Sequence, residues 1–279
     1  MTKHKIKNSL KQLIPPFLLK LYGLSRSKER TGYPWEGIYN HYRDVPKSGS
    51  GYNSEVLVNQ TFRYTRNALK TFKETGYIPG GGKEGHPFLA LLVSLVYKDA
   101  GKVRVLDFGG GLGVAYIHLI SNAVGYQFLD YHIVETEKTC QKASQLWEGD
   151  NRIHFHSSVP VDLNEVDVVY LSSVLQYVED YRGLLKNLCG FNPKFFMFGN
   201  LSAGNIPTFA TKQRNLAGTI MPYWMLNVDE IIETMARTGY KLIYKQVLER
   251  SYNQNNFPKK YRMDNTRNLL FVRNKTVST

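Results

Sequence analysis

The sequence predicts an α/β fold: a seven-stranded, mostly parallel, doubly wound sheet with helices on both faces, preceded by a helical and aromatic extension. Three observations carry this. Val103–Asp107 is a short apolar run ending in a carboxylate; it breaks into glycine at 109, 110, 111 and 113, then restarts as a helical pattern through Val114, Ile117, His118 and Ile120. Strand-like runs recur at 130–134, 152–156, 166–171 and 194–198, with helical stretches among them. Finally, Lys241–Val247 and Leu269–Arg273 read as a terminal antiparallel pair. Strands alternating with helices build a parallel sheet. A glycine turn after the first strand opens a pocket at its carboxyl end, because glycine turns sharply and lets a ligand lie against bare backbone.

Composition sets the outer limits. A chain of 279 residues suffices for one large α/β domain with appendages, or two small ones. No stretch reaches the roughly 18 uninterrupted apolar residues of a membrane span, and the N-terminus lacks a secretory pattern. Cys140 and Cys189 have neither metal-ligand spacing nor a disulfide framework. Cytoplasmic residence is the expectation. The formal charge of +13 is unevenly placed: residues 1–30 carry eight Lys/Arg against one Glu, residues 240–279 nine against two, and the stretch between them nineteen against twenty. A neutral body with basic ends suits peripheral contact with an anionic membrane or acidic polymer. A nucleic-acid enzyme would spread Lys and Arg over its active-site face.

Taken in order, residues 1–30 place Ile6, Leu10, Leu13 and Ile14 at near-helical spacing among lysines, before Pro15-Pro16 interrupts. Such a basic amphipathic segment either lies in a bilayer interface or packs on its own domain with a solvated basic face. Residues 31–100 form a cap: Trp35, Gly37, Tyr39, Tyr42 and Tyr52, a helical run around Val56–Phe72, and an apolar helix opened by His86-Pro87. Flat rings at this density either line a carbohydrate site or form a packing layer. Gly80–Gly85 lacks the Gly-Lys-Ser/Thr ending of a P-loop. Residues 101–279 are the cofactor-binding domain.

Within that domain Glu135 closes the second strand 22 residues past Gly113, where such sheets place the carboxylate that accepts from ribose hydroxyls. Glu137 is the fallback. Ser157 and Ser158 follow the third strand, near the adenine. His154 and His156 alternate with Phe155 and share one sheet face; with no Cys or acid at ligand spacing they read as sheet-surface residues, and no metal is expected. Ser172, Ser173, Gln176 and Tyr177 follow the apolar strand 166–171, where a group facing both cofactor and acceptor must sit. The dinucleotide fingerprint Gly-x-Gly-x-x-Gly, started at Gly110, would need glycine at 115, where Ala115 stands. That variant is tolerated, so the loop alone leaves NAD open.

Asp107 tilts the choice. It gives Asp-x-Gly-x-Gly-x-Gly, which resembles the first motif of class I S-adenosylmethionine (SAM) methyltransferases. Joined to Trp35-x-Gly37, Gly51-Tyr52, Tyr116, Ile133-Val-Glu135, Ser172–Asp180 and Met221–Leu226, it makes the chain resemble, over about residues 33–273, a family of SAM-dependent methyltransferases encoded among bacterial surface-polysaccharide biosynthesis genes. The resemblance implies a Rossmann-like class I methyltransferase fold, S-adenosyl-L-methionine as cofactor and a sugar hydroxyl as acceptor. It assigns Asp107, Gly109, Gly110, Gly111 and Gly113 to the amino-acid end of SAM, Glu135 to its ribose and Ser157 and Ser158 to its adenine. Ser172, Ser173 and Gln176 complete the cofactor set.

A sugar hydroxyl is weakly acidic, so a base must lie within reach of it. His86 and Tyr177 are favoured for that role ahead of Asp180 and Tyr223, with Asn200 as an orienting group. The chain departs from the family at Gly199-Asn200-Leu201, where relatives carry Asp-Arg-Thr, so any catalytic role of that motif does not carry over. A nucleic-acid enzyme is disfavoured, since Gly199-Asn-Leu-Ser202 is not an Asn/Asp-Pro-Pro-aromatic motif and no Pro-Cys nucleophile is present. A non-catalytic SAM-binding scaffold associated with polysaccharide assembly stands as the alternative.

Overall fold

The computed structural model describes residues 33–78, 86–214, 219–249, 253–263 and 265–274. The basic segment 1–30 and the loop Gly80–Gly85 lie outside them. The chain divides into two units, Met1–Tyr33 and Pro34–Thr279, and the sheets belong to the second. Its elements begin with β1 (Trp35–Tyr39), α1 (Glu55–Thr75), α2 (His86–Ala100), β2 (Val103–Phe108), α3 (Val114–Asn122), β3 (Leu129–Val134), α4 (Glu137–Ala143) and β4 (Ile153–His156). They continue with β5 (Val168–Ser172), α5 (Tyr181–Cys189), β6 (Phe195–Leu201), β7 (Ala203–Gly204), β8 (Phe209–Arg214), β9 (Ile220–Asn227), α6 (Val228–Arg237), β10 (Tyr240–Glu249) and β11 (Asn265–Arg273).

The large sheet has the order β10-β11-β6-β5-β2-β3-β4. Its strands β4, β3, β2, β5 and β6 are parallel, while β11 runs antiparallel to β6 and β10 antiparallel to β11. The chain steps outward from β2 to β4, then returns to β5 on the other flank of β2. The reversal between β2 and β5 is the switch point where such sheets hold ligands. This is the seven-stranded, mostly parallel, Rossmann-like sheet the sequence predicts, with its antiparallel terminal pair.

Side chains alternate across a strand, and that decides which layer each joins. Val103 and Val105 of β2 enter a core with Leu89, Val93 and Val96 of α2 and Ile117 of α3. Leu106 enters the opposite core, with Val169, Phe196 and Phe198 of the sheet, Leu185 of α5 and Ile231 of α6. The result is helices on both faces. Helix starts are capped by their own sequence. The Asp180 carboxylate accepts from the Gly183 N–H at 2.9 Å, and the Asn227 amide oxygen accepts from the N–H groups of Asp229 and Glu230.

A second, four-stranded sheet, β1-β8-β9-β7, has no counterpart in the sequence reading. Its first pairing joins β1 to β8, so Glu36 meets Lys212 at 2.8 Å and Arg214 at 2.9 Å. The Arg214 and then the Lys212 hydrogen bonds hold the Glu36 carboxyl down at about 2. Partners this far apart in sequence leave no local pattern to read. The aromatic run of the cap packs onto this sheet: Trp35 lies 5.5 Å from Tyr223, Tyr42 stacks on Trp224, and the Tyr42 hydroxyl donates to the Tyr177 carbonyl at 2.8 Å. Among the described residues no helix is long and apolar enough to cross a membrane.

Leu106 is fully buried in the central strand. Leu106→Ala is expected to lower the unfolding free energy by about 2–5 kcal/mol through lost burial and a residual cavity. Urea denaturation followed by circular dichroism checks this.

Candidate functional site

At the carboxyl ends of β2, β3, β4 and β5 lie two adjoining hollows. One, of 250 Å³, is walled by Asp107, Gly109–Gly111, His86, Tyr170, Ser172 and Ser173, with Thr61 and Tyr64 reaching in from α1. The other, of 390 Å³, is walled by Glu135, Thr136, Ser157, Ser158, Tyr52, Ser173 and Tyr177. Gly109 and Ser173 line both and form the seam. Among the described residues no lysine or arginine lines either. A wider depression of 1030 Å³ sits at the opposite, amino-terminal ends of β5 and β6, around Asp167 and Lys194, where α/β sheets do not build their ligand sites.

Asp107 is buried at the end of β2. Its Oδ2 accepts from the Tyr131 hydroxyl at 2.7 Å, while Oδ1 has no hydrogen-bond partner among the described residues. Burial pushes the carboxyl up to about 7, opposed by the Tyr131 hydrogen bond and the nearby His86 and assisted by Glu135. The glycines follow from this carboxylate and from the turn around it. A Cβ on Gly110 would stand 2.3 Å from Asp107 Oδ2, and one on Gly109, at φ +74°, would stand 2.3 Å from Val174 Cγ2. Gly113 lines neither hollow; at φ +90° it starts α3 against Ile153 and Trp147.

Glu135 is anchored by backbone. Its Oε1 accepts from the Gly111 N–H at 3.1 Å and its Oε2 from the Thr136 N–H at 2.8 Å. Burial raises its carboxyl and these two bonds pull it back, with a net rise. Glu137, by contrast, is exposed on α4 and accepts from Gln141. The Gly111 N–H, beside the start of α3, is therefore engaged by a carboxylate, where a dinucleotide fold would turn such groups to pyrophosphate.

The seam residue Ser173 has φ +56°, and Asn200 at the end of β6 has φ +47°. Left-handed backbone of this kind costs a non-glycine residue about 1–3 kcal/mol unless its surroundings over-determine it. Here they do. The Asn200 side-chain amide donates to Ser173 Oγ at 2.6 Å, Asn200 Oδ1 accepts from the Thr266 hydroxyl at 2.8 Å, and the Asn200 N–H donates to Asn268 Oδ1 at 2.8 Å. Gly199-Asn200-Leu201 thus positions Ser173 from below.

The two favoured candidates for proton transfer fall in different hollows. His86, buried at the start of α2, has Nδ1 3.0 Å from the Tyr170 hydroxyl and stacks on His118 in the first. Tyr177 lines the second; its hydroxyl donates to Gln213 Oε1 at 3.0 Å and its ring stands edge-on to Tyr52 and Tyr223. Gln176 is buried and lines neither hollow. Asp180 caps α5, and Tyr223 is buried with its hydroxyl on Ser202 Oγ. The sequence reading misses Thr61, Tyr64 and Tyr170 as wall residues. Thr61 and Tyr64 have a helical spacing in common, but nothing local says that α1 overhangs the glycine loop.

No family model matches the sequence, and no curated protein does. Solved structures with a similar chain path include a 1,6-didemethyltoxoflavin-N1-methyltransferase from Burkholderia thailandensis bound to S-adenosylhomocysteine (13% identity, 85% of this chain, 100% of that chain, TM-score 0.46). Another is the magnesium protoporphyrin IX methyltransferase of Synechocystis with bound SAM (15%, 76%, 97%, 0.43). A third is CalS10, an amino pentose methyltransferase from Micromonospora echinaspora (11%, 81%, 100%, 0.46). Identities and scores this low leave the chemistry of this chain to its own residues.

Asp107 supplies a pH test. An unfolded Asp titrates near 3.9, and in the fold Asp107 titrates at about 7. Between those values the folded chain holds a proton that the unfolded chain has released, so stability falls as pH rises across the window and levels off above it. Asp107→Asn removes this term. The stability of the variant relative to the wild type is expected to grow from about pH 4 to about pH 7 and then stay constant, as read from urea melts across that range.

Proposed function

We propose that this chain is a SAM-dependent methyltransferase that O-methylates a sugar of a bacterial surface glycan or its precursor. The observation that carries the reading is a carboxylate on each side of a bipartite hollow that no lysine or arginine lines among the described residues. Asp107, buried and satisfied at only one oxygen, suits the ammonium at the amino-acid end of SAM, against glycines that leave the backbone bare. Glu135, with both oxygens pinned by N–H groups, keeps lone pairs for the two ribose hydroxyls. Ser157 and Ser158 stand on the same wall for the adenine edge. A pyrophosphate would meet two carboxylates there.

SAM would supply a methyl group made electrophilic by its sulfonium. The chain's own residues must align the acceptor oxygen, exclude water and remove a proton. The His86 imidazole, whose Nδ1 meets the Tyr170 hydroxyl, would take that proton, and Tyr177, its hydroxyl held on Gln213 Oε1, would orient the acceptor. Tyr52, 48% exposed beside Tyr177, offers a flat ring for the apolar face of a sugar. The basic ends at 1–30 and 240–279 would hold the enzyme against an anionic membrane on its cytoplasmic face. A second reading, a SAM-binding scaffold without turnover, is favoured by one observation: the Asn200 side chain, where relatives carry a charged motif, is engaged in holding Ser173.

Calorimetry with S-adenosylhomocysteine and methyl transfer from labelled SAM to cell-envelope sugar precursors, tRNA and DNA test this. Glu135→Gln is expected to weaken S-adenosylhomocysteine by about 1.5–3 kcal/mol, the worth of hydrogen bonds to a charged group. Saturable NAD binding with no binding of S-adenosylhomocysteine would overturn the cofactor assignment, and binding without turnover on any sugar selects the scaffold.

For His86 the expected result is a fall in kcat of about 10²–10⁴ in His86→Ala, with affinity for S-adenosylhomocysteine retained. An unchanged rate removes His86 as the base.

A further inference from the structure

Outside both hollows, β3 and β4 pair with His132 opposite His154 and Val134 opposite His156. Residues two apart on a strand share a face, so Asp130 and His132 of β3 collect with His154 and His156 of β4. Asp130 Oδ1 lies 2.8 Å from His132 Nε2 and 3.2 Å from His154 Nε2. Donor atoms of Asp130, His132 and His154 all lie within 4.8 Å of one another. The shorter contact lacks hydrogen-bond geometry: His132 Nε2 is buried and finds no hydrogen-bond partner among the described residues. Bonds of about 2.0–2.2 Å to a tetrahedral ion separate adjacent donors by roughly 3.3–3.6 Å, so on binding the carboxylate contacts would open slightly and the imidazole donors, within 4.8 Å, would settle at that spacing.

The surrounding contacts fit as well. His132 Nδ1 is 2.9 Å from His156 Nε2; with Nδ1 as the donor, His132 Nε2 keeps its lone pair for a metal. Arg104 Nε donates to Asp130 Oδ2 at 2.7 Å, which leaves Oδ1 as the ligand atom. We infer that Asp130, His132 and His154 form a binding site for a divalent first-row transition ion of the zinc class. Two imidazoles with one carboxylate suit zinc and its neighbours, whereas magnesium and calcium require oxygen donors. The His154 side chain is 41% exposed and provides the route in. An ion here ties the edge strand β4 to β3, and β4 runs directly into Ser157 and Ser158 of the second hollow.

The test uses the full chain, stripped with a chelator and titrated with zinc by calorimetry and with cobalt(II) by visible absorption. One zinc per chain is expected, with a raised Tm and the absorption bands of low-symmetry cobalt. His154→Ala removes the exposed ligand and leaves Asp130 and His132 in place, so folding is expected to survive, as circular dichroism would show. It should weaken zinc by about tenfold or more and erase the Tm shift. His154→Gln, closer in size, should behave alike. Absence of zinc and cobalt uptake by the wild type, or uptake and Tm shift equal in wild type and both variants, overturns the site. Neither readout depends on methyl transfer.

Discussion

A carboxylate held out of water at the end of the central strand is the constraint on which the ligand region depends. Asp107 can occupy that place because Tyr131, on the neighbouring strand, supplies a hydroxyl to one oxygen. Its other oxygen has no hydrogen-bond partner among the described residues. The carboxylate in turn forbids a side chain at Gly110, and the turn it begins forbids one at Gly109. One buried carboxyl thereby sets the shape of the loop and, when ionised, the electrostatic sign of the pocket floor. Desolvation makes this costly in the empty fold, and a cation of matching size would relieve it.

The second constraint is strain at the seam. Ser173 and Asn200 adopt left-handed backbone at the ends of adjacent strands, and the network through Thr266 and Asn268 holds them there. Thr266 and Asn268 lie on β11, the antiparallel strand that wedges beside β6. The terminal hairpin therefore does more than close the sheet; it supports the residue shared by both hollows. The cap residues and strand β8 of the second sheet contribute as well. Tyr42 grips the Tyr177 carbonyl, Gln213 accepts from the Tyr177 hydroxyl, and Tyr52 packs against its ring. The turn after β5 is thus clamped between elements drawn from the beginning, middle and end of the chain.

Much of this architecture is written locally. Hydrophobic runs of the right length mark β2 through β6, glycine marks the loop after β2, and Asp180 and Asn227 mark helix starts. Glu135 could be found by counting from the loop, because the length of a β-α-β unit fixes where the next carboxylate arrives. Other residues carry no such ruler. Thr61 and Tyr64 look like any helix face, and Tyr170 looks like strand core. Trp35–Tyr39 has the rings and glycine of a loop until β8 arrives to pair with it. His154 and His156 lack an acid nearby in sequence; Asp130 and His132 reach them only through the register of two parallel strands.

The sequence by itself determined the order of strands and helices in the large sheet, the site of the glycine turn and the acids at the ends of β2 and β3. These depend on periodicity, steric freedom at glycine and the fixed length of a crossover, all of which act within a few tens of residues. Tertiary structure alone decided that Asp107 is half-satisfied, that His86 and Tyr177 face separate hollows, that Asn200 supports Ser173 and that three histidines share a face with Asp130. Each of those outcomes is a distance between segments far apart along the chain, and only the packing of sheets and helices sets such distances.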